Sequence, residues 1–197
     1  MSLLLEPDPL SLGFFNEFSG RGTVNSTLPM PTRRLDEINE LPQIDFLKID
    51  VQGSELMILE NGRKKLADCV ALQTEVSFVA LYKNQPTFGD IDRELRSQGM
   101  IPHCFAEFKR WPIAPFVLDG NPRLPLNQML EGDIIYMRDI IRAATMTDAQ
   151  LAKLAIIAHF ICNSPDLATR CLLELEGRKA CQPDTAKRYV GSLATKA

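Results

Sequence analysis

The sequence predicts an α/β protein with a C-terminal helical tail, and three observations carry that expectation. Apolar runs of strand length at residues 44–50, 70–78 and 100–108 alternate with segments of helical composition. Four prolines from Pro112 to Pro125 exclude a helix before the next apolar run, residues 132–138, so that strand follows a loop. From Thr147 onward the apolar spacing becomes helical. The order strand, helix, strand, helix, strand argues for a mainly parallel sheet with right-handed crossovers, closed by an antiparallel last strand.

Residues 1–31 hold Pro7, Pro9, Pro29 and Pro31 together with Gly13, Gly20 and Gly22, which favours an irregular segment. Within it, residues 10–18 can form one or two helical turns that bring Phe14, Phe15 and Phe18 together. Residues 32–38 read as an extended piece entering a helical turn, stopped by Pro42. The clearest strand, 44–50, lies between Pro42 and Gly53. A helix is expected from about 53 to 66, with Ser54 and Glu55 in its first turn and Gly62 either ending it or lying inside it. A strand at 70–78 and a helix at 88–98 stopped by Gly99 follow. In the tail, Thr147 and Asp148 cap one helix and Ser164-Pro165 opens a second that Gly177 can stop. Pro183 opens a weaker third. The expected division is 1–31, 32–142 and 143–197, the last packing on the sheet or carrying a partner contact.

The chain has 197 residues, 45% hydrophobic and 24% charged, with a net charge of −3. These proportions exclude a wholly disordered chain and argue against a strongly basic nucleic-acid binder. No apolar run approaches the roughly 18 residues that span a bilayer, and the Met-Ser-Leu-Leu-Leu-Glu start lacks the basic region of a signal peptide. Five cysteines without a Cys-x-x-Cys pair argue against disulfides or structural zinc and for reduced thiols in the cytoplasm.

Two constellations can carry chemistry. Asp50 ends a strand and Gly53 opens a helix, the place where open α/β sheets bind ligands. Gly53 admits a ligand or backbone closely; the same residues also suit a tight strand-to-helix turn. Glu75 lies near the end of the next strand. If the two strands are neighbours, about 4.8 Å apart, Asp50 and Glu75 reach one rim. Two close carboxylates can share a divalent cation, retain a proton or serve as a general base; each can instead bind a different loop amide. Tyr82, Lys83 and Gln85 follow on a loop, where binding groups concentrate. His103 and His159 lack neighbours at metal-ligand spacing and read as satisfied or surface residues. Arg110-Trp111 reads as a cation–π pair or a loop anchor.

The blocks Leu35-Asp-Glu-Ile38 and Ile44-Asp-Phe-Leu-Lys-Ile-Asp-Val-Gln-Gly-Ser-Glu55, followed in order by Gln73-Thr-Glu-Val-Ser-Phe78, Leu81-Tyr-Lys-Asn-Gln-Pro-Thr-Phe88, Asp90-Ile-Asp-Arg-Glu-Leu-Arg-Ser-Gln-Gly99 and Glu131-Gly-Asp-Ile-Ile-Tyr-Met-Arg-Asp139, resemble the FkbM-type methyltransferases. The resemblance covers residues 32–139. It implies a class I methyltransferase fold, a Rossmann-like doubly wound sheet that binds S-adenosylmethionine and transfers its methyl group, usually to a hydroxyl oxygen of a sugar, polyketide or related small-molecule acceptor. Segments 44–50 and 70–78 would be that fold's fourth and fifth strands, and those near 101–108 and 132–138 its sixth and seventh. Asp50 and Glu75 would then be catalytic. Asp50, Gln52, Gly53 and Glu55 would line the cofactor, no metal being assigned, and Tyr82 would contact the acceptor.

The sequence departs from that family where the family's glycine-rich cofactor turn and acidic ribose-binding strand end would precede residue 32. Neither is found, and Glu6-Pro-Asp-Pro9 reads as a loop. The expectation is a carboxyl-terminal portion of the enzyme, inactive alone, whose first strand has an open edge that self-associates or recruits a complementing chain. A non-catalytic remnant or interaction module is the alternative.

Overall fold

The computed structural model describes residues 4–194. Its centre is a four-stranded mixed sheet: β1 (Phe46–Ile49), β2 (Ala71–Ser77), β3 (Met100–Arg110) and β4 (Met129–Arg138), in the order β1-β2-β4-β3. β1 and β2 pair in parallel, and β4 runs antiparallel to both β2 and β3. Three strands therefore point one way, as expected, but β4 inserts between β2 and β3. The hydrogen-bonded pairs are one parallel and two antiparallel, so the sheet is mixed.

The helices α1 (Pro9–Gly13), α2 (Glu55–Glu60) and α3 (Phe88–Ser97) precede a C-terminal group, α4 (Asp148–Phe160), α5 (Pro165–Gly177) and α6 (Thr185–Ala194). Helix α2 is shorter than the expected 53–66. It ends at Glu60 with Asn61 as its cap, and the chain continues in hydrogen-bonded turns through Gly62, where a Cβ would lie 2.6 Å from Leu35 Cδ2, so only glycine admits Leu35 this closely. Local caps set the other helices. Thr87 with Asp90, and Thr147 with Gln150, form reciprocal capping boxes at α3 and α4.

Strand alternation gives the sheet two different faces. Leu72, Val76, Ile134, Tyr136 and Met100 pack with Leu59, Leu66, Ile91 and Leu95 beneath α2 and α3. On the opposite face, Val70, Ala71 and Met137 pack with Leu151, Leu154, Ala158 and Cys171 of α4 and α5. The tail thus covers the sheet at the N-terminal end of β2. Lys153 ties α4 to Asp45 at 2.7 Å, and Arg178 ties the end of α5 to Met146 O at 2.8 Å. Further along the same face the residues turn polar, from Lys48 and Gln73 to Glu75, Asp133 and Glu131.

Among the described residues no strand pairs with the outer edge of β1. That edge is four residues long, and its backbone groups are open to another strand. No helix among the described residues is long and apolar enough to cross a membrane. All five thiols are free.

Candidate functional site

The chain leaves β1 at Ile49 and reverses through Asp50–Ser54 with two consecutive left-handed residues, Gln52 (φ 56°) and Gly53 (φ 101°). Glycine accepts this at little steric cost, whereas Gln52 must be held there. Glu55, in the first turn of α2, does the holding. Its Oε1 accepts Val51 N–H at 2.8 Å and its Oε2 accepts Gly53 N–H at 2.9 Å. Glu55 is 3% exposed, and burial raises its pKa despite these backbone bonds. The Ser54 hydroxyl is buried without a partner among the described residues and makes no side-chain cap.

Parallel pairing sets Ile49 beside Thr74, so Asp50 and Glu75 meet at the C-terminal rim of adjacent strands. One oxygen from each of Asp50, Glu55 and Glu75 lies within 4.8 Å of the others. The two rim carboxylates do not bind different loop amides. They share one: Gln52 Nε2 donates to Asp50 Oδ1 at 2.8 Å and to Glu75 Oε2 at 3.1 Å. The left-handed backbone of Gln52 places that amide between them. A cation would have to displace the Gln52 amide, and Glu55 would offer it only oxygens already bonded to backbone.

Glu75 is the unusual group. It is 7% exposed, and its pKa is raised to about 8 by burial first, then by the charges of Glu131, Asp50 and Glu55. Lys109 offsets part of this but is itself bonded to Glu131 at 2.8 Å. Glu75 therefore carries a proton at neutral pH, whereas Asp50 is exposed. Sequence reasoning missed Glu131 and Lys109. The signal for them is the antiparallel register Ser77 to Glu131 and Glu131 to Lys109, which depends on β4 lying between β2 and β3.

The N-terminal segment also reaches this rim. A Cβ on Gly53 would lie 2.9 Å from Leu5 Cδ1 and 3.1 Å from Gln85 Cγ, so the close approach that Gly53 permits is made by the chain itself. Pro7 bridges Tyr82, Asp8 N–H donates to Leu81 O at 3.0 Å, and Lys83 pairs with Glu6 at 2.7 Å. Gln85 is a buried clip rather than an open binding group: it accepts from Leu81 N–H at 2.7 Å and donates to Ser77 Oγ at 2.8 Å. Tyr82 is buried beside these, with its pKa raised by burial and by the charges of Glu131 and Glu75. It thus faces the same carboxylates.

The remaining candidates lie elsewhere. Lys48 is 3.8 Å from Asp133, which also accepts from Gln73 at 2.7 Å. His159 Nδ1 meets the Tyr189 hydroxyl at 2.8 Å. The cation over Trp111 is Arg21, 5.6 Å from the ring centroid, in place of the expected Arg110.

The rim can therefore hold and release a proton near neutral pH beside an exposed carboxylate, on the carboxyl side of a parallel strand pair. A family profile described as the methyltransferase FkbM domain matches residues 3–102, just over half of the chain, taking in the N-terminal segment, β1, β2 and α3. No curated protein and no solved structure gives a significant match. The chain belongs to the FkbM methyltransferase family.

Proposed function

We propose that the chain supplies the acceptor-side rim of an S-adenosylmethionine-dependent enzyme that methylates a hydroxyl oxygen of a sugar or secondary metabolite in the cytoplasm. The observation that carries this reading is the buried Glu75, with a pKa of about 8, beside Asp50. A general base works best with a pKa near the operating pH, and Glu75 meets that condition. In this role its carboxylate accepts the acceptor hydroxyl proton as the oxygen–methyl bond forms, Asp50 lines the junction of cofactor and acceptor, and Tyr82 contacts the acceptor. S-adenosylmethionine, when bound, supplies an electrophilic methyl group.

The described residues fit only part of a cofactor site. Asp50 is exposed and can accept hydrogen bonds from a ligand, and Gln52 stands beside it. Gly53, however, is covered by Leu5 and Gln85, and no glycine-rich turn stands beside β1. The order β1-β2-β4-β3, with β4 reversed, supports the reading of these strands as the rear half of a class I sheet. The missing wall would then come from a strand with a glycine-rich turn docked on the open edge of β1. Titration calorimetry of the chain with S-adenosylmethionine is expected to give no 1:1 binding; measurable binding overturns the need for a complementing wall. Light scattering at high concentration is expected to show self-association, and a clean monomer counts against an available edge.

In an active assembly with such a cofactor-binding half, Glu75→Gln is expected to lower methyl transfer about a hundredfold. The wild-type rate should rise with pH through about 8 as Glu75 loses its proton. An unchanged rate in Glu75→Gln removes Glu75 as the base, and an unchanged rate in Asp50→Ala removes Asp50 from the site. If the assembly has no methyl transfer at all, the remnant or interaction-module reading replaces the enzymatic one.

A further inference from the structure

A cavity of about 500 Å³ opens at the end of the sheet opposite the acidic rim, where β3 begins and β4 ends. That volume suits a small ligand. Its wall carries three guanidinium groups, Arg96 of α3, Arg138 at the end of β4 and Arg142 of the turn that follows, against two carboxylates, Asp139 in the wall and Asp92 paired with Arg96. In a chain of net charge −3 this is a local reversal of sign.

The three arginines are engaged differently. Arg138 bonds only to carbonyl oxygens, of Leu66, Ala67, Cys69 and Gln98, and makes no ion pair among the described residues. Its positive charge is fixed in place without a carboxylate beside it. Arg96 reaches Asp92 through Nε at 2.7 Å, which leaves its terminal nitrogens for a ligand. Arg142 pairs with Asp139 through one terminal nitrogen, and its side chain is 74% exposed. The carbonyls at the end of α3 and in the turn before β2 are already bonded by Arg138, so their partial negative charge is satisfied. Guanidinium forks match phosphate oxygens in bidentate geometry, and Met100 and Gln150 complete the wall with an apolar and a polar surface.

We propose that this cavity binds a small phosphorylated metabolite through Arg96 and Arg142, over the fixed charge of Arg138. The site is separate from the methyltransferase rim and stands or falls without it.

The test is titration calorimetry of the full chain with pyrophosphate at constant ionic strength, repeated with Arg96→Ala and Arg142→Ala. Both side chains are more than half exposed, so both variants are expected to fold. Saturable 1:1 binding is expected, about tenfold weaker in each variant, the loss of one charge-assisted hydrogen bond. Glu75→Gln should leave it unchanged. The proposal is overturned if the heat does not exceed that of sodium chloride at the same ionic strength, or if both arginine variants bind as the wild type does.

Discussion

Glu75→Gln should make the folded chain more stable than wild type at pH 8, by about 4 kcal/mol, and no more stable at pH 4.5. The folded pKa of Glu75, about 8, lies above its ordinary value of 4.5. The folded state therefore binds the proton more tightly than the unfolded one. The stability contributed by protonated Glu75 is fully present below about pH 4.5. It is lost as pH rises toward 8, at up to about 1.4 kcal/mol per unit. Glutamine keeps the shape, its carbonyl can accept the Gln52 amide in place of Glu75 Oε2, and it never ionises. Comparing the two proteins cancels the contribution of other titrating groups that the substitution leaves unperturbed. Urea unfolding at pH 4.5, 6 and 8 measures the difference directly. A gap that does not grow with pH contradicts the burial of Glu75 among Glu131, Asp50 and Glu55. The same substitution would then stabilise the fold while removing the proposed base, a conflict expected where a functional group is held against its solvation preference.

The second large effect is expected at Arg138. This side chain donates to Cys69 O at 3.0 Å, Gln98 O at 2.7 Å, Leu66 O at 3.0 Å and Ala67 O at 2.5 Å. It joins the last residue of β4 to the turn before β2 and to the end of α3. Gly99, at φ 79°, leaves room for the guanidinium, since a Cβ there would lie 3.4 Å from Arg138 Nη1. Arg138→Met retains the apolar stem and removes every donor. Carbonyls of two chain segments, the turn before β2 and the end of α3, then lose the guanidinium together, at a cost of about 3 kcal/mol. Arg138→Lys keeps the charge but cannot fork to four oxygens, so it should recover less than half of that loss. Urea midpoints of the three proteins decide this; a methionine variant within about 0.5 kcal/mol of wild type, the range of an ordinary surface substitution, contradicts it.

The sequence was most informative where local chemistry decides. β1, β2 and α3 were placed by apolar runs and flanking glycine or proline, and the α4 start by Thr147 in a capping box. The convergence of Asp50 and Glu75 followed from adjacent parallel strands, needing only that the two strands be neighbours. What was hidden is non-local. The close packing of Leu35 on Gly62, in the turns after α2, joins residues 27 apart in sequence. The position of Glu131 and Lys109 beside Glu75 depends on β4 entering between β2 and β3, and on the two register shifts along β3 that precede Lys109. That Leu5 covers Gly53 depends on the N-terminal segment returning to the loop at Tyr82, which no periodicity encodes. The sharing of one Gln52 amide by two carboxylates depends on a left-handed backbone at a residue other than glycine.

The account rests on Glu75 as a buried carboxyl that keeps its proton at neutral pH at the end of β2. Carbon-13 NMR of the glutamate side-chain carboxyls, with Glu75→Gln identifying the resonance, measures that proton directly. The structure predicts a Glu75 titration midpoint about 8. A midpoint in the ordinary glutamate range, about 4 to 5, would contradict both the stabilisation expected of Glu75→Gln and the base proposed for methyl transfer.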